Sequence, residues 1–278
     1  MAVPPGTVIL DNPPIRVRQC RHGAMLYHLN DAYVGRSLDV YGEYSELEAQ
    51  LFCHILRPGM TAIDVGANIG AFTVPMARAV FPGGAVVAIE PQRALHQMLC
   101  ANAALNGLRN VRALQAGAGR AQGRAVAPRI DLMVPRNFGA FALTESGVGE
   151  VVDIVSIDAL GLTDCHFMKI DVEGTEAAVV HGAAETIARC RPILYVENAY
   201  ADKSPALIEQ LLALNLRLYR HVPPLFNHDN FFAHHQDIFN RVASYNMLCV
   251  PRESANQPTG EHEIHGPADC PLDLVGTK

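Results

Sequence analysis

The chain has 278 residues, of which 49% are hydrophobic and 18% are charged, and its formal net charge is −6 at pH 7. This composition supplies a large apolar core and excludes an intrinsically disordered chain. The acidic balance, without any basic block, argues against nucleic acid or an anionic membrane as the main partner. With no signal-like leader, no apolar run of about 18 residues and no Cys-x-x-Cys pair, the sequence predicts a cytoplasmic protein without a membrane span, whose seven cysteines are free thiols.

Three regions follow one another along the chain. Residues 1–43 predict a β-rich extension, because alternating apolar and polar residues within 15–29 are typical of an antiparallel hairpin. The helical period of residues 45–56 begins the main domain, which is predicted to span 44–250. Residues 251–278 contain four prolines and little periodicity, which predicts an irregular C-terminal tail.

Strands and helices alternate through most of the main domain. Short apolar runs predict strands at 61–65, 85–89, 111–115, 167–172, 192–196, 216–221 and 244–250. Helical periods predict helices at 69–80, 91–106, 175–189 and 205–214. Residues 117–150 break this rhythm and predict short strands. The alternation predicts a doubly wound, mostly parallel sheet that binds its ligand at the carboxyl ends of the strands.

The first two of these strand ends indicate a nucleoside-containing cofactor. The turn at 64–70 reads Asp-Val-Gly-Ala-Asn-Ile-Gly, and its glycines let the backbone approach a ligand. Glu90 follows Gly70 by twenty residues, the spacing of an acid that binds a ribose diol. No Lys-Ser/Thr follows the turn, which excludes a P-loop, and Gly-x-Gly-x-x-Gly is missing. Asp64 would repel a pyrophosphate and attract the ammonium group of a methionine, so S-adenosylmethionine is favoured over a dinucleotide.

The next strand ends carry charged and amide side chains. Lys169 and Asp171 share one face of their strand, where two charges are costly to bury unless they pair or bind a ligand. Asp171, Glu197 and Asn198 offer oxygen ligands from neighbouring strand ends. They are predicted either to hold Mg²⁺ or another divalent cation or to hydrogen-bond a substrate hydroxyl directly. Glu173 is a candidate cap for the following helix.

Candidates for a general base lie on the same strand and in a later loop. Asp171, His221 and His228 can accept a proton, as can Lys169 if burial lowers its pKa. Residues 221–232 mix aromatic side chains with histidine, amide and acid groups, as sugar-binding loops do.

Three motifs together give a specific resemblance. Ala-Ile-Asp-Val-Gly-Ala-Asn-Ile-Gly (62–70), Ala-Ile-Glu-Pro (88–91) and Met-Lys-Ile-Asp-Val-Glu-Gly-Thr-Glu (168–176) resemble the FkbM family of S-adenosylmethionine-dependent methyltransferases. The resemblance covers about residues 40–250. It implies an α/β class I methyltransferase fold, a Rossmann-like sheet of seven strands whose last strand is antiparallel, here preceded by the N-terminal hairpin extension. It also implies an acceptor hydroxyl on a sugar or polyketide, or in some members an amide.

The resemblance also assigns residues to the cofactor. It implies that the methionine part of S-adenosylmethionine is held by Asp64, Gly66, Ala67, Asn68 and Gly70. By the same resemblance, Glu90 holds the ribose, and Gln115 and Ala116 flank the adenine. Tyr41-Gly42-Glu43-Tyr44 resembles the family's lead-in segment, which predicts that Tyr41 closes over the cofactor. The predicted catalytic residues are Lys169, Asp171, Glu197, Asn198 and His228.

The predicted function is O-methylation of a hydroxyl on a sugar or a glycosylated small molecule, with S-adenosylmethionine as the donor. Two alternatives stay open, which are amide N-methylation of a peptide or natural product and a cofactor-binding module without catalysis. The expected partner is a small-molecule acceptor, most simply a saccharide, and the sequence does not predict an oligomeric state.

Overall fold

The N-terminal extension is a three-stranded antiparallel sheet. The computed structural model describes residues 4–255, 258 and 262–269. The sheet consists of β1 (Val8–Asn12), β2 (Ile15–Cys20) and β3 (Gly23–His28). The predicted hairpin is confirmed, with β1 added at its outer edge. A Cβ on Gly23 would lie 1.9 Å from Oδ1 of Asn106, so glycine leaves room for the amide that bonds the backbone of Ala24.

The strands of the main domain form one large and one small sheet. In chain order they are β4 (Thr61–Val65), β5 (Ala85–Ile89), β6 (Val111–Leu114), β7 (Gly117–Ala118), β8 (Gly123–Pro128), β9 (Gly149–Val155), β10 (Phe167–Ile170), β11 (Ile193–Glu197), β12 (Leu216–His221), β13 (Asn246–Pro251) and β14 (His262–Ile264). The large sheet has the order β14-β12-β13-β11-β10-β4-β5-β6. Pairing is parallel from β6 to β11 and antiparallel on both sides of β13. This is the expected α/β class I methyltransferase fold, with one edge strand more than the seven predicted.

Helices cover both faces of the large sheet. They are α1 (Val34–Tyr41), α2 (Glu46–Ile55), α3 (Thr73–Val80), α4 (Arg93–Leu105), α5 (Glu176–His181), α6 (Ala184–Cys190) and α7 (Ser204–Ala213), with 3₁₀ turns at Asp158–Leu160 and Pro267–Asp269. Ile63 and Val65 of β4 pack in the core shared with α5, α6 and α7, whereas Ala62 packs with α2 and α3. Burial on both faces explains why the strands are apolar runs in the sequence. Within the described ranges, no helix is both long and apolar enough to cross a membrane.

The helix predicted over residues 175–189 is two helices in the structure. They separate at Gly182, where a Cβ would lie 2.1 Å from the carbonyl oxygen of Gly119. The carboxylate of Asp158 accepts the backbone N–H of Thr186 and so stabilises the start of α6. The prediction of one helix was wrong because a periodic pattern does not record this contact with a distant turn.

The segment between β8 and β9 connects the main domain to the extension. Strands β7, β9 and β8 form a small sheet. Strands β7 and β8 confirm the short strands predicted within 117–150, whereas β9 lies almost entirely beyond that range. Residues 129–148 between β8 and β9 are mostly irregular. The N–H of Arg136 donates to the carbonyl oxygen of Asn30 at 3.0 Å, and the N–H of Ala32 donates to that of Arg136 at 2.8 Å. The segment is therefore fastened to the N-terminal sheet.

The tail is not irregular throughout, which corrects the prediction for its described part. Strand β14 pairs antiparallel with β12, and Arg217 and Glu263 form an ion pair across them at 2.7 Å. Ile264 is buried in the main core. A strand of three residues is too short to show a period in the sequence. The six described cysteines are free thiols. The prediction for Cys270, and those for residues 1–3, 256, 257, 259–261 and 270–278, lie outside the described residues.

Candidate active site

A cavity of about 1080 Å³ lies at the carboxyl ends of β4, β5, β10 and β11. The strand order reverses between β4 and β10, because β4 continues to β5 on one side and β10 to β11 on the other. Open α/β sheets bind their ligands at such a point. Small-molecule sites usually measure roughly 300–1,000 Å³, so this cavity has room for a cofactor and an acceptor together.

Three segments from outside the parallel strands cover this cavity. The N-terminal extension contributes Tyr33, and Tyr44 follows it at the start of the main domain. The irregular segment between β8 and β9 contributes residues 137–141. The β12–β13 loop (residues 222–245) contributes residues 240–245. The cavity is therefore bordered by chain segments that are far apart in the sequence.

The turn after β4 brings residues 66–68 to the cavity wall. Gly66 has a φ of 76°, and a Cβ there would lie 1.8 Å from the carbonyl oxygen of Asp171, so only glycine fits between the two strand ends. Gly70 does not line the cavity. A Cβ on Gly70 would lie 2.7 Å from Leu99, so this glycine allows the turn to pack against α4.

Glu90 is fixed at the end of β5 by two backbone bonds. One carboxylate oxygen accepts the N–H of Asn68 at 2.8 Å, and the other accepts the N–H of Gln92 at 2.8 Å. Burial raises the pKa of Glu90 to about 7 despite these two bonds. The side chain lines the cavity, and each oxygen keeps a lone pair. Glu90 can therefore accept both hydrogens of a vicinal diol.

Asp64 lies beneath the turn, fully buried, and is not part of the cavity wall. Its Oδ1 is 3.5 Å from Nζ of Lys169, and its Oδ2 accepts the hydroxyl of Thr73 at 2.6 Å. Nζ of Lys169 also donates to the carbonyl oxygen of Gly66 at 3.2 Å. Asp64 therefore supports the turn through Lys169, and the geometry does not support the predicted direct contact with a methionine ammonium.

Lys169 connects the buried Asp64 to the cavity, because it also contacts Asp171. Its Nζ lies 3.3 Å from Oδ2 of Asp171, whose side chain is 38% exposed. Burial alone would lower the pKa of Lys169, but Asp171 and Asp64 outweigh it and raise that pKa. Lys169 is therefore held as an ammonium ion, which contradicts its predicted role as a base. Asp171 is the acid that this arrangement presents to a ligand.

The three predicted metal ligands are not presented together. Glu197 lines the cavity at the end of β11, but Asn198 does not, and the N–H of Asn198 donates to the carbonyl oxygen of Tyr245 at 2.7 Å. In the part of the chain that the structure describes, no group of three or more His, Cys, Asp or Glu side chains is placed to hold a metal ion. The divalent cation predicted at Asp171, Glu197 and Asn198 is thus not supported. The ammonium of Lys169 supplies a positive charge beside Asp171.

The turn after β10 depends on Glu176 rather than Glu173. Oε1 of Glu176 accepts the N–H of Val172 at 3.2 Å and that of Gly174 at 2.9 Å. Glu173 does not take this role, because its carboxylate accepts the hydroxyl of Tyr200 at 2.6 Å on the cavity wall. Glu176 therefore shapes the turn, and Glu173 faces the ligand space.

A match to a family model shows which protein family the chain belongs to. The family model described as the Methyltransferase FkbM domain matches residues 64–221, which is more than half of the chain and includes all four strand ends at the cavity. The chain belongs to the FkbM methyltransferase family. The family consists of S-adenosylmethionine-dependent methyltransferases.

Solved structures show more distant similarity. The FkbM methyltransferase of Methylobacillus flagellatus KT is 18% identical with a TM-score of 0.45, and the match covers 78% of this chain but only 55% of that protein. TYW2 of M. jannaschii, solved with AdoMet, is 12% identical with a TM-score of 0.46 and 88% of each chain covered. Aeropyrum pernix fibrillarin, with S-adenosyl-L-methionine bound, is 13% identical with a TM-score of 0.45, covering 90% of this chain and 100% of that one. No curated protein matches. The fold assignment therefore stands on the strand order and the family.

Of the residues predicted to contact the cofactor from the lead-in segment and beside the adenine, only Ala116 lines the cavity. Tyr41 is buried under the β12–β13 loop and does not line the cavity. Its hydroxyl donates to the carbonyl oxygen of Gln236 at 2.9 Å. Gln115 is exposed and lies outside the wall, whereas the next residue, Ala116, is buried and lines it.

Neither predicted histidine base lines the cavity of this FkbM protein. Nδ1 of His221 is 2.7 Å from the hydroxyl of Tyr195 at the end of β12. His228 is exposed and packs edge-on against the ring of Phe226, with 4.8 Å between the ring centres. Asp171 is therefore the base candidate that the structure places in the ligand space.

Several wall residues were not indicated by the sequence. Residues 137–141 lie in a stretch without a hydrophobic period, so the sequence pattern does not indicate that they line a cavity. Tyr200 follows β11 by three residues, and a wider reading of the strand-end rule would have included it. Tyr245 and Arg241 lie in the second half of the β12–β13 loop, beyond the segment that resembled a sugar-binding loop.

Proposed function

We propose that this FkbM methyltransferase O-methylates a hydroxyl of a sugar or glycosylated small molecule, with S-adenosylmethionine as the donor. The observation that carries the proposal is the half-exposed carboxylate of Asp171, which Lys169 holds in the same cavity as Glu90. A hydroxyl nucleophile must lose its proton as it attacks, and a carboxylate at this position can accept it.

The β4 and β5 side of the cavity fits the cofactor. Glu90 offers two acceptor oxygens to the ribose diol, residues 66–68 allow close approach to the methionine part, and Ala116 gives a small apolar wall for adenine. When bound there, S-adenosylmethionine supplies an electrophilic methyl group on a sulfonium. Of the residues predicted for this half, Asp64 and Gly70 support the turn from behind.

The chain's own residues orient the acceptor and handle its proton. Lys169 holds the carboxylate of Asp171 toward the cavity and balances its charge. Glu197, buried at the end of the neighbouring strand, is placed to accept a hydrogen bond from a second polar group of the acceptor. The three covering segments exclude water and hold the acceptor oxygen in line with the methyl group.

The composition of the acceptor half supports an uncharged, polyhydroxylated ligand. Aromatic rings from Tyr33, Tyr44, Tyr200 and Tyr245 line it and can pack against the C–H faces of a sugar. Acidic side chains between them accept hydrogen bonds from hydroxyls: Asp171, Glu173, Glu197 and Asp202. Among the described lining residues, these four carboxylates outnumber the cations Lys169 and Arg241, so a phosphorylated sugar or a nucleic acid would be repelled.

The proposal is tested with methyl-labelled S-adenosylmethionine and a panel of free sugars, glycosides and short peptides. We expect label on sugar oxygens, read as O-methyl ethers by mass spectrometry and NMR, with little transfer by Asp171→Asn. Label found only on amide nitrogen would replace the proposal with N-methylation. Tight cofactor binding without transfer to any of the acceptors would favour the cofactor-binding module.

A further inference from the structure

The segment Tyr41–Tyr44 resembles the family's lead-in, yet Tyr41 and Glu43 face the β12–β13 loop rather than the cofactor half. We propose that Glu43 is a positioning residue for the acceptor, because it fixes the loop whose second half forms the acceptor wall. The inference rests on the proposed function in one respect only, which is that this wall contacts the acceptor.

Glu43 uses both of its carboxylate oxygens on the loop or on a residue that holds it. Oε1 accepts the side-chain N–H of Asn227 at 2.8 Å, and Oε2 accepts the backbone N–H of Phe231 at 2.8 Å. Oε2 also accepts Nε of Arg21 at 2.5 Å, and the same guanidinium donates to the carbonyl oxygen of Asp229 at 2.6 Å. Glu43 is buried, so its bonds are shielded from water. Glu43 therefore holds the loop directly at residues 227 and 231, and at residue 229 through Arg21.

Tyr41 and Gly42 fasten the middle of the same loop. The hydroxyl of Tyr41 accepts the N–H of Ile238 at 2.8 Å, and its carbonyl oxygen accepts the N–H of Phe232 at 3.1 Å. Gly42 has a φ of 71°, and a Cβ there would lie 2.6 Å from the ring of Phe232. The absence of a side chain at Gly42 lets this ring lie against the segment.

The residues that directly precede the fastened part of the loop are bonded to the acceptor wall. The N–H of Leu225 donates to the carbonyl oxygen of Val242 at 3.0 Å, and the N–H of Ser244 donates to that of Pro223 at 3.0 Å. Leu225, Val242 and Ser244 all line the cavity. If residues 227–231 were released, residues 223–225 would no longer be held in place. The wall residues 242–244, which are bonded to them, would then lose their support.

Tyr44, the residue after Glu43, connects the contacts between Glu43 and the loop to the cavity. Tyr44 lines the cavity beside Phe72, with 5.6 Å between the ring centres. A single tight turn thus places Glu43 on the loop and Tyr44 on the acceptor side. Both positions change together if the turn moves.

The decisive variant is Glu43→Gln, compared with Glu46→Gln. Glu46 is equally buried, but its carboxylate bonds His22 and Gln50, outside the loop. It also lies 3.8 Å from Nε of Arg21, but Glu43 is the nearer partner of that guanidinium, at 2.5 Å, and is intact in this variant. In Glu43→Gln the new amide group opposes the donor of Asn227 and the charge facing Arg21 is lost. We expect amide hydrogen exchange over residues 222–245 to become about tenfold faster or more, while the affinity for S-adenosylhomocysteine stays within about twofold. Glu46→Gln should leave the exchange of the loop unchanged.

A reversed hydrogen bond separates positioning from general damage to the fold. In the double variant Glu43→Gln, Asn227→Asp, the glutamine amide can donate to the new carboxylate, so we expect most of the loop's protection to return. With an acceptor found in the labelled screen, Glu43→Gln should raise the acceptor KM and lower kcat, while the KM of S-adenosylmethionine is unchanged.

Two results would overturn the inference. One is unchanged loop exchange in a folded Glu43→Gln protein, and the other is loosening of the whole chain to the same extent by Glu43→Gln and Glu46→Gln. Both results are read without an acceptor, so they are independent of the proposed function, which fails separately if no hydroxyl compound is methylated.

Discussion

The two halves of the cavity are built in different ways. The cofactor half consists of residues that follow parallel strands by one or two positions, such as Gly66, Glu90 and Ala116. The acceptor half combines the end of β10 with side chains from the extension, the start of the main domain and the β12–β13 loop, such as Tyr33, Tyr44 and Tyr245. The first half is fixed by the sheet itself, and the second depends on contacts between distant segments. The donor site is therefore expected to tolerate changes in the covering segments, whereas the acceptor site is not.

The strongest test of this division is Asp171→Asn, which alters the junction of the two halves. Loss of the proton acceptor should lower kcat by about 10²- to 10⁴-fold, because a positioned general base contributes that much. The Kd of S-adenosylmethionine, measured by calorimetry, should change by less than about threefold. Asp153→Asn, which removes an exposed acid paired with Arg124, is the control and should have no effect. Near-normal turnover by Asp171→Asn would show that this carboxylate is only structural.

Gly66→Ala tests whether the cofactor half is fixed by its backbone. The new Cβ would clash with the carbonyl of Asp171 and occupy a left-handed conformation, so we expect a loss of about 2–5 kcal/mol in the free energy of unfolding. Gly59 has a φ of 88° with open space around it, so Gly59→Ala isolates the conformational part, at about 1–2 kcal/mol. Urea denaturation of the two variants measures the difference. Equal losses would mean that the strand ends can separate without cost.

Glu90→Ala should weaken cofactor binding without an effect on the acceptor loop. Loss of two hydrogen bonds to a charged acceptor, each worth about 1.5–3 kcal/mol, should raise the Kd of S-adenosylmethionine about 10²- to 10⁴-fold. Hydrogen exchange over residues 222–245 should match the wild type. Unchanged affinity in a folded Glu90→Ala protein would remove the ribose assignment.

The pH dependence of stability sharpens the same assignment. Burial raises the pKa of Glu90 to about 7 in the folded protein, against about 4.3 in an unfolded chain. The contribution of protonated Glu90 to the free energy of unfolding is fully present below about pH 4.3, and it is lost as the pH rises through 7. The wild type should therefore lose stability relative to Glu90→Gln over this window. The difference between the two proteins also cancels the titration of Glu48, another buried acid with a raised pKa. A pH-independent difference would contradict the raised pKa.

The smallest expected effect is that of a chelator. Lys169 already places a positive charge 3.3 Å from Asp171, so EDTA should leave methyl transfer unchanged within about twofold. Loss of activity with EDTA and its recovery with Mg²⁺ would restore the metal role of Asp171 and Glu197.

The strand ends that meet at the cavity could be predicted from the sequence because the signals that mark them are local. The position of Glu90 follows from one strand and one spacing, and the motif around Asp171 follows from strand alternation. The sequence did not predict that Asp64 lies behind the turn, because the depth of a side chain depends on Lys169 in a neighbouring strand. Tyr41 was misplaced because its partners, near Gln236, are almost two hundred residues away along the chain.

The short edge strand β14 also affects whether molecules of this protein aggregate through the edges of their sheets. The large sheet ends in three-residue β14 on one side and four-residue β6 on the other, and Arg217 and Glu263 place a charged pair near the β14 edge. Short, charged edges offer little backbone for another chain to extend. The longer outer strand β1 exposes Val8, Ile9 and Leu10. At high concentration, edge-to-edge aggregation is therefore expected to begin at the N-terminal sheet.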